Sequence, residues 1–256
     1  MLVMAKEDNT TASIGMKLED TQFNRWLSQG ENAESVFKLL NLNKDGDKIF
    51  DSLMFSTWAS YVTKLDRKNS YEAMFSVLKT RYGDEVLTGL LIASRKNRPT
   101  NYHVTRLEGV LLKTWASDGK TADEVFKLLR LNKDGDRVFK SLMLSSWVSY
   151  VTKLEDKNPD KLMLSVLKTS YNDEILTNML VAAQKVPRTK TFAASLQEQL
   201  WISQGKTADD IFQLLKLDQE GKHLLNSGEF STWVSYVTKL NKLDEKPDEF
   251  AVSSDL

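Results

Sequence analysis

The chain has 256 residues, with 35 basic and 35 acidic side chains, 41% apolar residues and no cysteine. Such a composition belongs to a soluble globular chain that can bury a core. It rules out disulfides and thiolate chemistry, and the even charge argues against a general binder of nucleic acid or acidic membranes, which needs a basic surplus on one face. No apolar run approaches a membrane span, and Leu2-Val3-Met4 is too short for a signal core.

From the N-terminus, Phe23, Trp26 and Leu27 make a short helical stripe, followed by the block Val36-Phe37-Lys38-Leu39-Leu40. The loop Asn43-Lys44-Asp45-Gly46-Asp47 breaks the pattern, and Gly46 is expected to supply a positive φ there. Trp58, Tyr61, Val62 and Leu65 then fall at i, i+3, i+4 and i+7, one face of a helix. Tyr71, Met74, Phe75 and Leu78 make another stripe, and Val86, Leu87, Leu90 and Leu91 a further, Leu-rich one.

After a connector holding Arg95, Lys96, Arg98 and Pro99, the series begins again. Trp26 is followed by Trp115 and Trp201, and Trp58 by Trp147 and Trp233, both at steps of 89 and then 86 positions. Trp147 to Leu154 recurs letter for letter as Trp233 to Leu240, with Tyr150 and Tyr236 in the place of Tyr61. The Leu-rich block recurs from Val166 to Thr177. Only its opening pattern, Glu245 to Ser253, recurs in the third copy, which reads as an array cut short or a last unit that decayed. Two tryptophan series in one register define a repeat protein.

Helix boundaries agree with the periods. Thr121 with Glu124 and Thr207 with Asp210 have capping-box spacing, and Asp84 and Asp173 are expected to open the Leu-rich helices as N-caps. The result is an all-α fold with about five helices per complete unit and no strand. Aromatic residues at helical spacing are core residues, so Trp26, Trp58, Tyr61, Trp115, Trp147, Tyr150, Trp201, Trp233 and Tyr236 are expected in the core rather than in a ligand cage.

The acidic loops invite a comparison with calcium loops. Aligned on the glycine, position 1 becomes Asn41, Arg130 or Lys216, and position 12, which must supply a bidentate carboxylate, becomes Ser52, Ser141 or Ser227. A calcium-responsive sensor is therefore the weaker alternative. His103 and His223 occupy unrelated places in the repeat, and no phosphate loop, His-Glu-x-x-His or Gly-x-Ser-x-Gly occurs. The reading is a non-enzyme with no catalytic residue, cofactor or metal. A tetratricopeptide array, with a period of about 34 residues, does not fit the spacing.

The order of a Trp block with Val-Phe-x-Leu-Leu, a Trp-x-x-Tyr-Val block and a Leu-Lys-Thr-x-Tyr-x-Asp-Glu-x-Leu block resembles the tandem WY and LWY units of the RXLR effectors of oomycete plant pathogens. It covers roughly Leu18 to Leu240 and sets a WY-LWY-LWY order: a flexible segment 1–15, units at 16–70, 71–158 and 159–243, and a tail at 244–256. The signal peptide and Arg-x-Leu-Arg motif of that family do not occur in this sequence. The resemblance implies helical bundles joined end to end into an elongated rod, a secreted virulence protein acting in the host cytoplasm, and a monomeric, non-enzymatic adaptor. It further implies a host protein partner, in the best understood members the scaffold subunit of the type 2A protein phosphatase, with no nucleic acid or membrane partner. Core positions repeat while exposed ones drift, so the basic connector Arg95, Lys96 and Arg98 is the expected partner contact.

Overall fold

The computed structural model describes residues 12–97, 102–155, 157–219 and 221–243, and no strand occurs among them. Twelve α-helices follow in order: α1 Ala12–Ser28, α2 Ala33–Leu39, α3 Leu53–Leu65, α4 Ser70–Asn97, α5 Tyr102–Ser117, α6 Ala122–Leu128, α7 Leu144–Leu154, α8 Pro159–Ser170, α9 Asp173–Gln184, α10 Lys190–Ser203, α11 Ala208–Leu214 and α12 Gly228–Leu243. Pairs of short 3-10 turns, beginning with Leu42–Lys44 and Gly46–Asp51, link α2 to α3, and equivalent pairs link α6 to α7 and α11 to α12. α1 begins at Ala12, inside the segment 1–15 expected to be flexible; residues 1–11 and the tail 244–256, with the start of a third Leu-rich block, lie outside the described residues.

Each copy is built by the same local devices. The Trp helices α1, α5 and α10 end on Gly30, Gly119 and Gly205, with φ of 72, 71 and 67°. A residue without Cβ takes this left-handed turn at no steric cost, and the next amide reaches back to the tryptophan carbonyl: Glu31 to Trp26 at 3.0 Å, Lys120 to Trp115 at 2.9 Å, Lys206 to Trp201 at 3.1 Å. Capping boxes then open the short helices: Thr121–Glu124 for α6 and Thr207–Asp210 for α11, and also Asn32–Ser35 for α2, where serine replaces the usual acid. Those helices stop at Asn41, Arg130 and Lys216, which have φ of 57, 59 and 55°. A left-handed Arg or Lys costs ~1–2 kcal/mol, so the packing of the flanking turns holds them there.

The Leu-rich helices differ from expectation at their starts. Asn172, not Asp173, is the N-cap of α9, its side chain accepting from the Ile175 amide at 2.9 Å; Asp173 is the first helical residue. The counterpart of Asn172 is Gly83, whose φ of 74° and ψ of 168° break α4 into two arms. One residue's offset has a simple cause: the cap must stand outside the helix, and acids favour its first turn because they meet the positive end of the macrodipole.

Two compact units result: residues 1–133 with 142–150, and residues 134–141 with 151–256. In the first, Trp58 of α3 packs on Phe37 of α2 and Trp147 of α7 packs on Phe126 of α6; both indoles are 0% exposed. In the second, Trp201, Ile211, Leu217, Trp233, Tyr236 and Val237 form a buried cluster against which Phe212, Phe230 and Leu240 pack.

Candidate protein-interaction surface

Two polar contacts, repeated in all three copies, fix each core. Trp58, Trp147 and Trp233 donate their indole N–H to the carbonyls of Ala33, Ala122 and Ala208 at 2.7, 2.9 and 2.8 Å. Tyr61, Tyr150 and Tyr236 donate to the carbonyls of Glu31, Lys120 and Lys206, each at 2.6 Å. The glycine turn after the Trp helix thus aims one carbonyl at a tyrosine, and the cap after it aims another at a tryptophan. Burial raises the pKa of all three phenols, Tyr236 to about 12, so they stay protonated donors.

Aromatic contacts repeat too. Phe37–Trp58, Phe126–Trp147 and Phe212–Trp233 meet edge to face with centroids 5.0, 5.0 and 5.5 Å apart. Trp26 meets Tyr61 at 5.3 Å and Trp201 meets Tyr236 at 5.6 Å, and Trp115 is buried at 4%. The indoles of Trp58, Trp147 and Trp233 and the phenols of Tyr61, Tyr150 and Tyr236 all bond to backbone, so their chemistry is spent on the fold.

The copies diverge at their ionic groups. Arg95, expected on the surface, is instead half-buried in α4. Its Nε lies 3.2 Å from Glu108 Oε2, too poorly aligned for a hydrogen bond, and its Nη1 donates to Thr105 Oγ1 at 3.1 Å. Glu108 is 5% exposed and accepts from the Ser146 hydroxyl, tying α4, α5 and α7 together. The correction has a physical reason: an arginine stem covers apolar surface readily, and a buried carboxylate needs a cation, a pairing that no local spacing announces. Arg98 and the side chain of Lys96 lie outside the described residues.

In the second unit a different cluster appears. Lys239 Nζ of α12 lies 3.1 Å from Asp160 Oδ2, 3.8 Å from Glu198 Oε2 and 3.2 Å from the Ser195 carbonyl, while the Ser195 hydroxyl donates to Asp160. Burial raises the pKa of Glu198, against the opposing pull of a Ser235 hydrogen bond and of Lys239. His103 belongs to neither cluster: its Nδ1 is 3.0 Å from the Tyr71 hydroxyl, Phe55 meets its ring edge on, and burial lowers its pKa. The side chain of His223 lies outside the described residues.

A groove of about 410 Å³ lies in the first unit between the second arm of α4 and the region after α6. Glu85 and Asp118 stand among its acidic residues, with Lys127, Arg130 and Lys133 among its basic ones. Lys127 is already paired with Asp123 at 2.6 Å. No group of three His, Cys, Asp or Glu side chains that could hold an ion occurs among the described residues, and no described helix is long and apolar enough to cross a membrane.

The WY-domain model of the effector PexRD54 matches residues 21–62 and 196–237, the two segments that carry Trp26 to Tyr61 and Trp201 to Tyr236 with their bonds. The chain belongs to the RxLR effectors with WY domains. It is 38% identical over 233 residues to the RxLR effector protein PSR2 of Phytophthora sojae, covering 88% of this chain and 34% of the relative. To the PSR2 protein of Phytophthora infestans it is 33% identical over 256 residues, covering 97% of this chain and 33% of that protein. Its structure is also similar to the crystal structure of PcRxLR12, with a TM-score of 0.66 and 36% identity over 97% of this chain and 62% of the other. The chain thus spans about a third of the length of the PSR2 relatives. The second copy, between the two matched segments, rebuilds the same tryptophan and tyrosine bonds at Trp147 and Tyr150.

Proposed function

We propose that this chain acts inside the plant host cell as a non-enzymatic adaptor, secreted by the pathogen, that holds host proteins and suppresses immunity. Its partner is the core of the type 2A protein phosphatase, captured through the scaffold subunit and redirected to new substrates. The observation that carries the adaptor reading is the contrast within each copy. The same tryptophan and tyrosine bonds rebuild one core three times, whereas the ionic clusters and exposed residues differ between copies. Successive copies of this kind present surface residues that change along the chain while the core does not. Membership of the effector family and the likeness to PSR2 over most of the chain support the host setting. The phosphatase rests on the family resemblance of the paired LWY units.

Affinity capture with the tagged chain from plant cell extract, read by mass spectrometry, tests this. Scaffold and catalytic subunits of the phosphatase are the expected catch, and recovery of neither overturns the phosphatase reading. Within the basic connector, Lys96 and Arg98 remain the proposed contacts. Arg95 is a poor probe, because reversing it would set a second carboxylate against Glu108. The double variant Lys96→Glu/Arg98→Glu should weaken capture; undiminished capture removes the connector from the interface.

A further inference from the structure

The second arm of α4 and the helix α9 are near copies of each other. Over the fourteen positions that start at Asp84 and at Asp173, seven residues are identical, and three more exchange apolar for apolar: Val86 for Ile175, Leu90 for Met179 and Ile92 for Val181. Their contacts repeat as well. In the first unit α4 packs on α5 with Leu87 and Leu91 buried, and in the second α9 packs on α10 with Leu176 and Leu180 buried. At the acidic start of each, Lys79 pairs with Asp84 at 3.0 Å and Lys168 with Asp173 at 2.9 Å. Apolar burial has no direction, so leucine rows this alike choose only weakly between two Trp helices.

The difference lies at the far end. Arg95 stands where α9 has Gln184, and its partner Glu108 stands where α10 has Ala194, so cation and anion are absent together from the later copy. Glu108 is buried and also accepts from the Ser146 hydroxyl. Laid on α5, a helix with the sequence of α9 would set an uncharged amide against that carboxylate. Laid on α10, a helix with the sequence of the α4 arm would set Arg95 against a methyl group. Each exchange strands one charge, and the remaining differences weigh less: a Cβ at Gly89, where α9 has Asn178, would only touch the end of the Arg130 side chain at 3.4 Å.

We propose that the Arg95–Glu108 ion pair is a pairing code, which assigns the second arm of α4 to α5 and keeps the two Leu-rich helices from taking each other's place. Such a pair selects between arrangements more than it stabilises one. Apolar residues of the same volume could hold the two helices as firmly, but they would accept either Leu-rich helix.

A transplant in the full chain tests this: residues 84–97 are replaced by the sequence of residues 173–186, with and without Glu108→Ala. Protection of the α5 amides against hydrogen exchange is the readout. The transplant should lower it about tenfold or more, and a transplant that keeps Arg95 should recover most of the loss. Glu108→Ala should act with opposite signs, lowering protection in the parent chain, where Arg95 loses its partner, and raising it in the transplant, where the carboxylate has no cation. A pair that only packs would give a loss in both. Full protection in the transplant overturns the proposal, as does no recovery on keeping Arg95 or a loss from Glu108→Ala in both chains. If the transplant does not fold, the transplant with Glu108→Ala should, and failure of both overturns the proposal equally.

Discussion

The first and second copies share one core and differ in what lies on the Trp helix. Trp58 and Trp147 are both fully buried and make the same indole bond, and Tyr61 and Tyr150 the same phenol bond. On α5, however, the second arm of α4 covers Leu107 and clamps Glu108 with Arg95, whereas on α1 Leu18 faces outward. The WY core is therefore complete without a Leu-rich helix. What that helix adds is a second buried face and, in this copy, an ion pair at its end, so the joint is separable from the core it decorates.

The largest effect should come from the ion pair. Glu108→Leu leaves Arg95 half-buried beside an apolar side chain and should destabilise the first unit by about 3–5 kcal/mol, while Glu108→Leu with Arg95→Met should recover most of that loss. Equal denaturation midpoints for the single and double variants would mean that Arg95 escapes to solvent. Next is the paired truncation of the two leucines: Leu107→Ala should cost ~2–5 kcal/mol by cavity formation, but Leu18→Ala within about 0.5 kcal/mol. Urea titration distinguishes them, and similar losses would mean that α1 is covered in solution.

Smaller still, Tyr61→Phe and Tyr150→Phe should each cost about 1 kcal/mol and by the same amount, since each loses one equivalent hydrogen bond. Unequal losses would break the equivalence of the cores. The smallest effect is that of pH. His103, which stands where the first copy has Ile14, has a folded pKa below its ordinary 6.5, so stability is full above that value and falls as pH drops through the lowered folded value. Thermal melts of the wild type should decline on acidification more than those of His103→Asn, and parallel curves would assign the acid sensitivity to the carboxylates.

Much of the fold was legible because it is written in repeats and short-range chemistry. The 89 and 86 residue steps and the i, i+3, i+4, i+7 stripe hold for all three copies, and the Thr-x-x-Glu/Asp box is explicit in the second and third. The Asn32–Ser35 box was missed because serine stands where the rule looks for an acid, although its hydroxyl accepts the cap amide at 2.9 Å. Left-handed Asn41, Arg130 and Lys216 gave no signal, since two of the three are residue types that disfavour that conformation. The basic connector misled for another reason: Arg95 in a polar run reads as surface until Glu108, thirteen positions on, is seen buried beside it.

By itself the sequence determined the helical class, the three copies, their order and the aromatic residues of each core, because periodicity and capping act over a few residues and recur. Only the tertiary structure decided which side chains of those helices are covered. Burial depends on what another helix lays against a given face, and the same position, Leu18 or Leu107, is open in one copy and closed in the next.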